Sequence, residues 1–186
     1  MNVFVGCSSR DTNNEDYNRI AEEISKFIVR GRHNYVFGGC DMGLMGKIYS
    51  VVYNSTDSKV IITIAKAYED DLKILSYSEA YMFDTVNERK NAFIELADVM
   101  IFISGGIGNI DELLTAIETR RNHEHDVPII IINANNFLGH LLDMLNRIYD
   151  ESFADLRNSK LYFVANTVEE AVNHLSELTN KSINNY

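Results

Sequence analysis

A chain of 186 residues with 46% hydrophobic and 24% charged content has the size and make-up of one globular domain with its own core. A formal charge of −10 sets its long-range field against DNA, RNA and anionic membranes, so neither a nucleic acid polymer nor a membrane is an expected partner. Two cysteines, Cys7 and Cys40, support neither a disulfide scaffold nor a cysteine-rich zinc site. With a start that lacks a basic leader, they point to a cytoplasmic protein.

Taken in chain order, residues 2–5 read as a first strand. Over residues 16–29, Ile20, Ile24, Phe27 and Ile28 fall on one face at helical spacing, with Glu22, Glu23 and Lys26 elsewhere. A strand over 34–37 runs into a glycine turn and a helix after Gly43. Strands follow near 59–64 and 79–83, then a helix over 88–96, a strand over 99–103, a second glycine turn and a helix over 110–119. The lone proline, Pro128, opens a strand over 128–132, and a helix over 137–149, a strand over 161–164 and a helix over 168–178 complete the order. Apolar β-rich runs alternating with amphipathic segments predict an α/β domain over residues 1–179. Its architecture is a doubly wound, mainly parallel sheet of about seven strands with helices on both faces. The polar stretch 180–186 reads as a frayed tail.

Chemistry concentrates in three passages. In Ser104-Gly105-Gly106-Ile107-Gly108-Asn109-Ile110-Asp111-Glu112 a strand meets a glycine turn and then a helix. Glycines let a ligand approach the backbone, and the first N–H groups of a helix lack internal partners and attract anions. The same residues also fit a ligand-free turn in which Asn109 is the N-cap and Glu112 completes a capping box. A second turn, Gly38-Gly39-Cys40-Asp41-Met42-Gly43-Leu44-Met45-Gly46-Lys47, again leads into a helix, but it is no P-loop: Asp41 stands where a glycine is needed, and Ile48 where Ser or Thr is. Both turns and Gly6-Cys7-Ser8-Ser9 should converge beyond the carboxyl ends of the strands. There Ser8 and Ser9 either hydrogen-bond a ligand or satisfy their own loop.

The third passage is Asp84-Thr85-Val86-Asn87-Glu88-Arg89-Lys90, with Thr85 and Glu88 spaced for a capping box. Cations at a helix start oppose the macrodipole, so Arg89 and Lys90 call for partners: a substrate phosphate or ribose, or Glu95 or Asp98. His123-Glu124-His125-Asp126 has no third ligand nearby and reads as a solvated connection rather than a metal site. Cys7 and Cys40, without a histidine base in either turn, read as small buried thiols.

Together these motifs resemble the LOG family of cytokinin riboside 5'-monophosphate phosphoribohydrolases, long mislabelled as lysine decarboxylases. The resemblance runs from the first strand to about Glu170. The family's P-G-G-x-G-T-x-x-E is matched with Ser104 for proline and Asn109 for threonine; its M-H-E-R-K is matched with Asn87 for histidine; and Cys40 replaces the third glycine of G-G-G-x-x-G-L-M-G. The resemblance implies a Rossmann-like fold, a homodimer and hydrolysis of a nucleoside 5'-monophosphate to base and ribose 5-phosphate. Glu112 and Arg89 are then catalytic. Gly105, Gly106, Ile107, Gly108, Asn109, Lys90, Gly38, Gly39, Ser8 and Ser9 bind substrate or phosphate, and no metal or redox cofactor is needed. Lys90, Asn87 and water are the candidate proton donors to the leaving base. The four departures leave open a nucleotide-binding protein without turnover. Lysine decarboxylation fails on mechanism, since nothing suggests a Schiff-base lysine in a pyridoxal site.

Overall fold

The structure, a computed structural model, describes residues 1–183 and, in the last helix, side chains as far as Leu178. Strands β1 (Asn2–Gly6), β2 (Asn34–Phe37), β3 (Val60–Ala65), β4 (Glu79–Phe83), β5 (Val99–Phe102), β6 (Ile129–Ile132) and β7 (Phe163–Ala165) alternate with helices. The helices are α1 (Glu15–Arg30), α2 (Gly43–Tyr53), α3 (Val86–Leu96), α4 (Ile107–Arg121), α5 (Gly139–Asp150) and α6 (Val168–Ile183). The strands form one sheet in the order β4-β3-β2-β1-β5-β6-β7, parallel at every pairing. The predicted doubly wound α/β architecture is the observed one.

Both sheet faces are covered, which is why the central strands are nearly continuous apolar runs rather than alternating ones. All four isoleucines of β6 are buried. Val3, Val5, Ile101 and Ile130 face one layer, where Ile20, Ile24 and Ile28 of α1, Leu44 and Ile48 of α2 and Leu175 of α6 meet them. Phe4, Met100, Phe102 and Ile131 face the other, against Phe93 of α3, Leu113 and Ala116 of α4 and Leu145 of α5. Each such side chain removed from water contributes about 1.5–3 kcal/mol. The apolar stripe read over 16–29 is therefore the packing face of α1, although Phe27 is only half-buried.

Strand order reverses at β1, which pairs with both β2 and β5. The helix after β1 packs on one face and the helix after β5 on the other, so a crevice opens beyond their carboxyl ends. The register Gly6 opposite Phe102 brings the segment from Cys7 alongside the 103–106 turn, and the Ser8 N–H donates to the Ser104 carbonyl at 3.1 Å.

The glycine turn before α2 is also pinned here. Gly43 has φ +65°, and a Cβ on it would lie 2.6 Å from the carbonyl oxygens of both Ser8 and Arg10. Gly43→Ala is expected to cost about 1–3 kcal/mol, read as a lower midpoint in urea denaturation. An unchanged midpoint would show that the loop yields freely.

Three short 3-10 segments, Lys66–Lys73, Ala134–Asn136 and Leu156–Lys160, lie where no element is predicted, being too short to show a period. Helix α6 carries the backbone through residues 180–183, which the sequence assigns to a frayed tail; residues 184–186 lie outside the described residues. Among the described residues no helix is long and apolar enough to cross a membrane.

Candidate functional site

Helix α4 begins at Ile107 with Gly106 at its N-cap, and no side chain caps it. The expected cap, Asn109, lies inside the first turn instead, so the capping box with Glu112 does not form. Its side chain folds back, Nδ2 donating to the Ile103 carbonyl at 2.8 Å, and is 6% exposed. The N–H groups of the first turn precede any intrahelical acceptor. Gly106, Ile107 and Gly108 are exposed, and nothing lies within 4 Å of where a Cβ on Gly106 or Gly108 would stand. The positive end of the α4 dipole is thus open to an approaching anion.

The start of α2 differs. Asp11, from the loop after β1, places Oδ1 3.3 Å from the Gly43 amide and accepts from it, so this helix end already faces a carboxylate. Of the two glycine turns, only the one before α4 presents an open helix terminus. Gly38 adjoins Arg89, since a Cβ there would sit 3.7 Å from its Nη1, whereas Gly39 is buried against Ile62. The Ser8 hydroxyl is committed to its own loop: it donates to the Arg10 carbonyl at 2.9 Å and accepts from the Arg10 amide at 3.0 Å. Ser9 is exposed, and its carbonyl accepts from the Cys40 thiol at 3.9 Å.

Helix α3 starts with the predicted capping box, Glu88 N–H to Thr85 Oγ1 and Thr85 N–H to Glu88 Oε2. This fixes the helix end that carries Arg89 and Lys90, and their partners prove to be neither Glu95 nor Asp98 but the first turns of α4. Arg89 Nη2 donates to Glu112 Oε1 at 3.1 Å, and Lys90 Nζ to Asp111 Oδ2 at 2.8 Å. Two consecutive cations on one helix meet two consecutive carboxylates on the next. Lys90, expected to reach a phosphate, is engaged by Asp111 and Thr115. Asp98 instead accepts from the Asn2 amide.

The side chains of Arg89 and Glu112 are only 15% and 14% exposed. The guanidinium lies 5.4 Å from the centroid of the Phe93 ring, and its Nε is buried with no hydrogen-bond partner. Burial pushes the Glu112 carboxyl up to about 7, and neighbouring Asp111 adds to the rise; Arg89 and Lys90 pull against it. A largely buried carboxyl balanced near neutral pH is suited to proton transfer or to stabilising a cation.

The other candidates have structural partners. His125 accepts from the Val127 amide at Nδ1, which leaves Nε2 as the donor to the Ala116 carbonyl at 3.0 Å, and burial holds its pKa down. Among the described residues no group of three or more His, Cys, Asp and Glu is placed to hold a metal ion. Cys7 is buried and Cys40 half-buried, both unpaired, and burial raises both thiols. A cavity of about 220 Å³ adjoins the α4 turn, lined by Ser8, Thr12, Tyr17, Gly105, Gly106 and Phe137. The aromatic part of this lining, Tyr17 and Phe137, falls in segments that the sequence marks only as amphipathic helices, so its place beside the turn is set by tertiary packing. A larger cleft, of about 740 Å³, lies at the far end of α4, where Arg121 and Arg157 are already paired with Glu118 and Asp155.

The probable cytokinin riboside 5'-monophosphate phosphoribohydrolase LOG4 of Oryza sativa subsp. japonica is 25% identical over 175 residues, covering 94% of this chain and 76% of the relative. Cytokinin riboside 5'-monophosphate phosphoribohydrolase LOG5 of Arabidopsis thaliana is 26% identical over 173 residues, covering 93% and 76%. Among solved structures, a molybdenum cofactor carrier protein from Chlamydomonas reinhardtii superposes with a TM-score of 0.67 at 16% identity, covering 97% of this chain and 98% of that one. The molybdenum cofactor binding protein of Rippkaea orientalis gives 0.64 at 17%, covering 96% and 95%. These likenesses show a shared Rossmann-like fold. A family model described as "Possible lysine decarboxylase" matches residues 45–175, from the first turn of α2 into α6, and the chain belongs to that family, the LOG family.

Proposed function

We propose that this protein hydrolyses the N-glycosidic bond of a nucleoside 5'-monophosphate, releasing the base and ribose 5-phosphate. The observation that carries the reading is the largely buried ion pair of Arg89 on α3 with Glu112 on α4, where Glu112 follows the open terminus of its own helix. The names of the LOG relatives point to the same chemistry. At 1.5 Å rise per residue, Glu112 lies about 6 Å along the axis from Gly108, a span that a ribose 5-phosphate bridges.

In this mechanism the 5'-phosphate docks on the amides around Gly106 and Gly108 and delivers C1' to Glu112. The C1'–N bond breaks, its electron pair leaving with the base, and the sugar takes on oxocarbenium character. The ionised carboxylate stabilises that charge and takes one proton of the attacking water, whose oxygen keeps the other and becomes the new C1' hydroxyl. The departing base takes up a proton from solvent water and Glu112 returns its own to solvent, so that neutral base and ribose 5-phosphate result. Arg89 orients the carboxylate and opposes the rise that burial imposes on its pKa.

Base release from a panel of nucleoside 5'-monophosphates and the matching nucleosides tests the reading. Release is expected from a monophosphate and at least about 10³-fold more slowly from its nucleoside, because the phosphate anchor supplies the positioning. Saturable nucleotide binding without release across the panel would overturn hydrolysis in favour of a nucleotide sensor.

A further inference from the structure

We infer that Asn109 is a positioning residue: its buried carboxamide locks the 104–108 turn in the shape that aims the first amides of α4 outward, so that backbone alone grips the anion. The inference rests on reading the α4 terminus as the phosphate site and adds the residue that shapes it.

Asn109 is one of few buried polar side chains, and its bond from Nδ2 to the Ile103 carbonyl spans six residues, joining the first turn of α4 to the end of β5. Two further bonds tie the same stretch to β1: Ile103 N–H to the Gly6 carbonyl at 2.9 Å, and Ser8 N–H to the Ser104 carbonyl at 3.1 Å. Asn109 supplies the tie that those strand-like bonds cannot, the one on the helix side of the turn.

Two glycines form the slot that admits it. A Cβ on Gly6 would lie 2.4 Å from Asn109 Oδ1, and a Cβ on Gly105 would lie 2.6 Å from Nδ2 and 2.7 Å from Cβ of Asn109. Neither position can carry a side chain while Asn109 is in place. Gly105 thus differs in role from Gly106 and Gly108, whose Cβ positions face open space. The first makes room inward for the carboxamide, and the other two leave room outward for the ligand.

The arrangement has a cost. Oδ1 of Asn109 is buried without a hydrogen-bond partner, a penalty that a leucine of similar size would avoid. What leucine lacks is the donor to Ile103, and the residue type is explained by that donor. Of the turn's own residues, Gly106, Ile107 and Gly108 are the exposed ones, and none of them carries a polar side chain. The geometry therefore fits a terminal tetrahedral dianion approaching the amides end-on.

Sulfate titration of wild type, Asn109→Leu and Asn109→Asp between pH 5 and pH 8 tests this, since sulfate keeps its charge over that range. Titration of Glu112 cancels in the ratio of Asn109→Leu to wild type, since that substitution adds no charge. Asn109→Leu is expected to bind at least about ten-fold more weakly than wild type at every pH. Asn109→Asp should match that loss at pH 8, where a carboxylate faces the Ile103 carbonyl. At pH 5 the buried carboxyl is protonated and can donate, and affinity should return to within a few-fold of wild type. Wild-type affinity in Asn109→Leu, or no recovery of Asn109→Asp at pH 5, would overturn the inference. Wild-type protein that binds sulfate but releases no base would overturn the hydrolase reading alone, and wild type that binds no sulfate would overturn the phosphate site itself.

Discussion

Glu112→Gln is expected to slow base release from a nucleoside 5'-monophosphate by about 10²–10⁴-fold while changing affinity for ribose 5-phosphate only a few-fold. The two readouts separate because the substitution keeps the size of a largely buried side chain and its acceptor for Arg89, and removes only the charge and the proton affinity. Product affinity depends on the amides of the α4 turn, which Gln leaves intact. Rate depends on a carboxylate facing a sugar that becomes positive, an interaction much stronger in the transition state than in the ground state. Equal losses in both measurements would mean that Glu112 merely braces the cleft. A rate within ten-fold of wild type would remove it from the chemistry.

The strand–helix alternation was legible because both sheet faces are buried, so each strand is a compact apolar run with its own punctuation. Strands β2 and β4 have the predicted bounds. The start of α4 was misjudged by three residues for an instructive reason: capping rules look for a polar side chain, and Asn109 supplied one, but the helix is capped at Gly106 and its first amides are left bare. An anion-binding terminus is one that such a rule misses.

The elements of the site were readable, but not their pairing. Locally Glu112 reads as a capping residue and Arg89 as a cation in want of a partner, and it is the family pattern that joins them, yet the ladder of Arg89–Glu112 and Lys90–Asp111 arises from the packing of α3 beside α4. A helical period says which face a residue is on, not which neighbour meets it. The same holds for Asp11, which closes the α2 terminus from 32 residues away, and for the turning of the Ser8 hydroxyl into its own loop. The Asp11 contact decides which glycine turn is free for a ligand, and it is set by tertiary packing.

The pH profile provides the second large effect. With the Glu112 carboxyl pushed up to about 7 by burial, kcat/KM for base release is expected to fall with acid below roughly neutral pH and to level off above it, because the mechanism needs the ionised form. Removing Arg89 has two consequences that follow from its position. The positive charge 3.1 Å from Oε1 holds the carboxyl down, so its loss lets burial and Asp111 raise the pKa further and moves the limb to higher pH. The guanidinium also orients the carboxylate, so the plateau itself should drop, by roughly 10²-fold in Arg89→Gln. Arg89→Lys keeps a charge but not the planar group that lies over Phe93, and is expected to keep the limb near wild type while losing part of the plateau. A limb that stays in place when Arg89 is replaced by Gln would mean that the titrating group is not Glu112, and the carboxylate would then have to be assigned a role in binding rather than in proton transfer.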